Sequence, residues 1–273
     1  MPPKKHSSTR PTKTSIPKPP PNTPPNWPAL KPLVPPSDIA LTTLLPSQIV
    51  TISQFFTSTL CKTYVNFLKE LPLTTTPGKP KKGDALRFND RFQVVDEAFA
   101  NRLWLETGLK ELVCGSEEED EDGEGEPEGM TEEERRELWG GEVIGLNPSI
   151  RIYRYTKGQF FDCHYDEANL LTLNTKPTPT PAKTTWTLLL YLTSSTTGCV
   201  GGETVFYPDE ITFGGKKNAV EKEIVVGLET GMCLLHKHGS DCMLHEGREV
   251  LEGEKWVIRS DLCVKREKSR FAD

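Results

Sequence analysis

A chain of 273 residues with 35% hydrophobic and 26% charged side chains holds enough apolar material for one core of ordinary size, not two. The net charge of −6 averages two opposed segments: residues 1–31 carry six basic side chains and no acid, while residues 117–134 carry twelve acids and no base. What remains is balanced, which excludes any demand for a basic nucleic-acid surface or a membrane-binding face.

Residues 1–45 hold thirteen of the 23 prolines, among many Ser and Thr. Such a composition predicts a disordered, partly polyproline-II basic tail, with the folded domain spanning 46–273. The start Met1-Pro2-Pro3-Lys4-Lys5 has no apolar stretch of the kind a secretory leader needs, and no run approaches the length of a membrane span. Seven scattered cysteines without a paired spacing suit buried free thiols in a reducing compartment. The expectation is a cytoplasmic or nuclear protein.

Gln48-Ile49-Val50-Thr51-Ile52 predicts an entry strand. Leu60, Tyr64, Phe67, Leu68 and Leu71 recur at helical spacing, with Ser58 as the expected N-cap and Pro72 as the stop. A second helix is predicted from about Asp96, with Phe99, Leu103, Trp104, Leu109 and Leu112 on its inner face. Residues 116–134 read as an acidic, self-repelling disordered insert, and residues 174–184 as a Pro/Thr loop. From Ile144 onward the periodicity changes to short strands at 149–156, 160–166, 185–193, 203–207, 223–227, 231–236 and 255–264, with glycine-marked turns between. Many short strands separated by turns predict a sandwich or barrel.

The run from Arg151 to Asp166 predicts two strands joined by a turn at Thr156-Lys157-Gly158. Side chains alternate along a strand, so His164 and Asp166 face one way while Cys163 and Tyr165 face the other. An imidazole and a carboxylate on one face can hold two adjacent corners of a metal, and two histidines plus one carboxylate with open positions is the donor set of non-haem Fe(II) oxygenases. His236, His238 and His245 compete to be the third ligand. A keto acid chelated to iron leaves its far carboxylate needing a cation on a neighbouring strand. Ten residues after His245 stands Lys255, opening an apolar strand, whereas the same count from His238 reaches Arg248 in a polar turn and from His236 reaches Glu246. His236 and His238 read as a strand-end pair near the mouth of the site.

The ordered set formed by Arg154-Tyr155 through His164-Tyr165-Asp166, Thr187 to Tyr191, Gly201-Gly202-Glu203-Thr204 and His245-Glu246-Gly247 with Lys255 resembles the prolyl 4-hydroxylase-type branch of the Fe(II)/2-oxoglutarate dioxygenases over roughly residues 145–264. That resemblance implies a double-stranded β-helix (a jelly roll, cupin-like) buttressed by N-terminal α-helices. It implies His164, Asp166 and His245 as iron ligands, Lys255 on the C5 carboxylate of 2-oxoglutarate, and Tyr155 and Thr187 lining that co-substrate. Fe(II), 2-oxoglutarate and O2 are the implied cofactors, with ascorbate as reductant. The implied reaction hydroxylates a C–H bond and releases succinate and CO2. A prolyl side chain in a protein or peptide is the implied substrate, with a small molecule, a nucleic-acid base or a catalytically inactive binding module as the alternatives.

Overall fold

The computed structural model describes residues 23–76, 83, 85–115, 130–208 and 223–266. Among them two antiparallel sheets dominate. The larger follows the order Thr42–Leu45, Ile49–Ile52, Cys233–Lys237, Thr180–Tyr191, Glu254–Lys265, Ser149–Thr156, Asp90–Val95 and Thr74–Thr75, with Val143–Leu146 and Leu170–Leu173 attached at the side. The smaller runs Ile224–Val226, Thr204–Tyr207, Leu244–Gly247, Phe160–His164 and Arg87–Phe88. Strands that neighbour each other in space but lie far apart in sequence give the jelly roll that the resemblance implies, a form of the sandwich expected from the run of short strands.

The larger sheet is hydrophobic because its central strands are covered on both faces. Every residue of Ile49–Ile52 is buried, and so is nearly all of Glu254–Lys265. Its outer face carries helices α1 (Ser58–Leu68), α2 (Glu97–Glu106), α3 (Leu109–Cys114) and α4 (Glu132–Trp139), whose Leu60, Tyr64, Phe99, Leu103, Val113 and Trp139 join one apolar cluster with Trp186, Leu188 and Ile258. The inner face meets the smaller sheet through Tyr155, Tyr191, Phe206, Leu234 and Val257.

Several boundaries differ from expectation for identifiable reasons. Residues 1–22 of the expected tail lie outside the described residues, but order begins well before residue 46: Trp27, Leu30 and Ile39 are buried. Trp27 stacks on Phe99 at 4.0 Å between ring centroids and donates its Nε1–H to Asp96 Oδ2 at 2.7 Å. Proline-rich composition lowers the mean hydropathy of the segment without removing the few large apolar side chains that dock it. Helix α1 is capped by Thr57, whose side chain accepts from Leu60 N, rather than by Ser58. The expected second helix breaks in two at Gly108, whose φ of 73° stops α2 and starts α3. Residues 116–129 of the acidic insert lie outside the described residues, but its last part is helical. Thr131 and Glu134 form a capping box, and Glu132, Glu133 and Glu134 sit in the first turn of α4, where the helix dipole favours negative charge. The predicted loop at 174–184 is shortened by the strand Thr180–Tyr191, whose first residues pair with Leu170–Leu173.

One local reading changes in kind. Ser149–Thr156 and Phe160–His164 are consecutive and joined by a tight turn at Gly158, yet they do not pair. The first belongs to the larger sheet and the second to the smaller, so the turn carries the chain across the sandwich. That crossing puts His164 on the wall opposite the strand bearing Tyr155.

Candidate metal centre

His164 ends the strand Phe160–His164, and His245 lies directly opposite it on Leu244–Gly247. Cross-strand neighbours in antiparallel sheets stand close enough for side chains to touch, and the two imidazole centroids are 4.2 Å apart. Asp166 follows two residues after His164, just past the strand end, with the exposed Tyr165 between them turned outward. Nε2 of His164 is 3.7 Å from Asp166 Oδ1, and Nε2 of His245 is 3.8 Å from Asp166 Oδ2. A donor atom from each of His164, Asp166 and His245 lies within 4.8 Å of the other two.

The tautomers follow from the backbone. Nδ1 of His164 meets Asp162 O at 2.8 Å, and Nδ1 of His245 meets Met243 O at 2.9 Å. A carbonyl only accepts, so in both rings the proton sits on Nδ1 and the Nε2 lone pair faces Asp166. Burial, helped for His164 by the neighbouring His245, pushes both imidazoles toward the neutral form, His164 to about 3. Neutral imidazole is the form that binds a metal.

Asp166 is held from behind. Arg259 Nη1 donates to Oδ1 at 3.1 Å, Arg259 Nη2 sits 3.0 Å from Oδ2, and Thr187 Oγ1 donates to Oδ2 at 2.9 Å. Burial alone would raise the carboxyl's pKa, but Arg259 and the surrounding imidazoles outweigh it and hold the group well below the usual carboxylate range. Thr187, expected to line the co-substrate, contacts Asp166 through this hydroxyl. Arg259 as a partner of Asp166 is not expected from the sequence, where it is the one arginine that favours the nucleic-acid-base alternative, although it follows Lys255 by four residues on one strand and so shares its face.

Lys255 is 5% exposed, and its Nζ donates to Gly202 O at 2.6 Å. It pairs in register with Tyr155, and the ammonium lies 5.4 Å from the ring centroids of both Tyr155 and Tyr191. Burial lowers its pKa to about 8. Gly202 explains how the lysine fits: its φ is +76°, and a Cβ there would stand 3.2 Å from Lys255 Cδ and 3.0 Å from Val250 Cγ2. The Gly201-Gly202 pair is thus a cradle for the lysine stem as well as a turn. Lys255, Tyr155, His164, Asp166 and His245 line one cavity of about 40 Å³ between the sheets. Two neutral imidazoles and a carboxylate at one end, with an ammonium that has an uncharged oxygen for a partner at the other, fit a ferrous ion and a dicarboxylic acid.

The two remaining histidine candidates differ sharply. His238 is satisfied at both nitrogens, by Thr187 Oγ1 and by Thr184 Oγ1, each at 2.9 Å. His236 is not a mouth residue: it is 2% exposed and lines the same cavity.

Residues 150–260 match the family model of the 2OG-Fe(II) oxygenase superfamily. The comparison with curated proteins returns no match. Among solved structures the chain is similar to the viral collagen prolyl hydroxylase of Paramecium Bursaria Chlorella virus-1, at 16% identity and a TM-score of 0.45, covering 80% of this chain and 96% of that one. It is also similar to a prolyl hydroxylase from Trichoplax adhaerens solved with a hypoxia inducible factor peptide fragment, at 15% identity and a TM-score of 0.48, covering 79% and 83%. A prolyl-4-hydroxylase from Pseudomonas putida aligns at 10% identity and a TM-score of 0.45, covering 81% and 94%. No helix among the described residues is long and apolar enough to cross a membrane.

Proposed function

We propose that this chain, a 2-oxoglutarate-dependent dioxygenase by the match over residues 150–260, hydroxylates a prolyl side chain in a protein or peptide, releasing succinate and CO2, with ascorbate maintaining the ferrous state. The observation that carries the reading is the convergence of His164, Asp166 and His245 at one end of a cavity whose other end holds the buried Lys255. When bound, Fe(II) supplies the oxidative chemistry, with O2 and the keto acid as co-reactants.

The chain's own residues supply binding and orientation. His164 Nε2, His245 Nε2 and an oxygen of Asp166 would hold the metal. The carbonyls of Asp162 and Met243 fix the two rings, and Arg259 with Thr187 fixes the carboxylate. Lys255 takes the far carboxylate of 2-oxoglutarate, replacing a neutral oxygen partner with a full counter-charge. Tyr155 lies against that ammonium and excludes water from it. A peptide rather than a small solute fits the surroundings: Phe88, on the strand paired with Phe160–His164, and Tyr165, just past its end, are exposed apolar side chains.

The test is incubation of the purified protein with Fe(II), 2-oxoglutarate, ascorbate and proline-containing peptides. Succinate formation together with gain of one oxygen atom on proline supports the reading. Protein that binds iron and 2-oxoglutarate yet forms no succinate with any peptide refutes it.

A further inference from the structure

The cavity between the sheets holds a polar atom that neither the fold nor the proposed metal site accounts for. Four buried side-chain atoms have no hydrogen-bond partner among the described residues: both polar atoms of the Asn89 amide, Thr185 Oγ1 and His236 Nε2. Of these three residues, His236 is the one that lines the cavity shared by His164, Asp166, His245 and Lys255. Buried donors and acceptors are almost always satisfied, so an unpartnered atom on the wall of a ligand cavity points to the ligand. The metal is not that ligand, because His164, Asp166 and His245 already supply two imidazoles and a carboxylate.

His236 Nε2 stands at the metal end of the cavity. It is 3.7 Å from Asp166 Oδ2, too far for a hydrogen bond, and its ring centroid is 4.6 Å from that of His245. The strand Cys233–Lys237 is paired on both sides, and Phe206 packs edge-on against the imidazole at 5.2 Å between centroids, so the ring is held in place. Burial and the neighbouring His245 keep it neutral, which leaves one N–H to place. Nδ1 meets Lys237 O only at 3.4 Å, against 2.8 and 2.9 Å for the carbonyls that fix His164 and His245. The backbone therefore does not claim the proton, and the Asp166 carboxylate beyond Nε2 favours it on that nitrogen. Arg259, 3.0 Å from Asp166 Oδ2, offsets the charge of Asp166, so a second carboxylate can approach. Lys255 enters the same cavity from the same sheet, on the other side of Thr180–Tyr191.

We infer that His236 binds the co-substrate: its Nε2–H donates to the carboxylate at the keto end of 2-oxoglutarate, while Lys255 holds the carboxylate at the far end. The inference deepens the 2-oxoglutarate reading above and rests on it. Both ends of the diacid are then met by buried side chains of one sheet, an ammonium at one end and a neutral donor at the other. The neutral donor suits an end whose charge the metal also answers, and it fixes which way that carboxylate turns.

The test is calorimetric titration of 2-oxoglutarate into the full chain loaded with Mn(II). His236→Phe keeps a flat ring and loses the donor, and it should weaken 2-oxoglutarate binding by about tenfold to a hundredfold. His236→Gln places an amide N–H near the same point and should bind within about threefold of wild type. Mn(II) affinity should stay level in both, which a merely structural histidine would not ensure. Nitrogen-15 NMR of the unmodified protein in its Zn(II) form gives a second reading that needs no variant: with 2-oxoglutarate bound, the His236 ring proton should reside on Nε2. A proton on Nδ1 in that complex, or a Phe variant that binds 2-oxoglutarate as tightly as wild type, overturns the inference and leaves the co-substrate reading standing. Wild-type Mn(II) protein that binds no 2-oxoglutarate overturns both.

Discussion

Replacing Lys255 by Met separates the two roles of a buried ammonium. The side chain keeps its length, loses its charge, and has nowhere to relax, since the lysine is 5% exposed and packed on Gly202. Burial brings its pKa from 10.5 to about 8, and at 1.36 kcal/mol per unit the charge costs the co-substrate-free protein about 3 kcal/mol. Against this stands the loss of one hydrogen bond to Gly202 O, about 1–2 kcal/mol. Lys255→Met should therefore raise the unfolding free energy of the metal-free protein by about 1–2 kcal/mol at pH 7. The same change removes one half of a buried charge pair from the 2-oxoglutarate complex, about 3–5 kcal/mol, or roughly 100- to 4,000-fold in Kd. The pH dependence has a definite sign. The unfolded chain holds the Lys255 proton up to its ordinary pKa of 10.5 and the folded chain releases it near 8, so wild-type stability climbs as pH rises through that window. The variant should lack that climb. Urea melts at pH 7 and pH 9.5 and calorimetric titration of 2-oxoglutarate into the Mn(II) form would read both effects. A Met variant that is less stable at pH 7 and binds 2-oxoglutarate as tightly as wild type would refute the reasoning.

Further expectations concern the surrounding frame. His164→Ala and His245→Ala should each abolish stoichiometric Mn(II) binding measured by calorimetry, because each removes a donor whose lone pair faces Asp166. His238→Ala should leave metal stoichiometry unchanged but strand the hydroxyls of Thr184 and Thr187, lowering stability by about 1–3 kcal/mol in urea melts. Gly202→Ala should weaken 2-oxoglutarate binding by pressing a methyl group on Lys255 Cδ, with a stability loss of about 1–3 kcal/mol from the left-handed φ. Trp27→Ala should cost about 3–5 kcal/mol of stability, since that ring is buried against Phe99; a thermal midpoint equal to wild type would return the segment to the status of a tail.

The features legible in the sequence were those set by local periodicity. The pairing of His164 with Asp166 two residues on is a local pattern, although the strand expected over 160–166 ends at His164 and Asp166 lies just beyond it; the strand at 255–264 is visible as an apolar run. The hidden features depended on partners distant in sequence. Nothing near Trp27 indicates that Phe99 and Asp96 await it. Nothing in Lys157-Gly158 tells a hairpin from a crossing between sheets, because a tight turn serves both. His236 and His238 stand two residues apart with opposite fates, one ring satisfied by two threonine hydroxyls and the other aimed at a carboxylate, and no local pattern separates them. Their difference lies in strand register, which pairs His236 with Thr187 and leaves His238 beyond the last pair.

The division of the pocket between two sheets also makes the sandwich a gauge of molecular length. His164 and His245 are anchored in one wall and Lys255 in the other, so the span between the proposed metal site and the ammonium is set by how far apart the walls pack. Packed sheets keep a spacing of about 10 Å, maintained by the many apolar side chains between them and not by any one residue. A keto diacid shorter by one carbon would reach one anchor or the other but would not bridge them, and enlarging a wall residue such as Val257 would alter which diacid is accepted without touching either anchor.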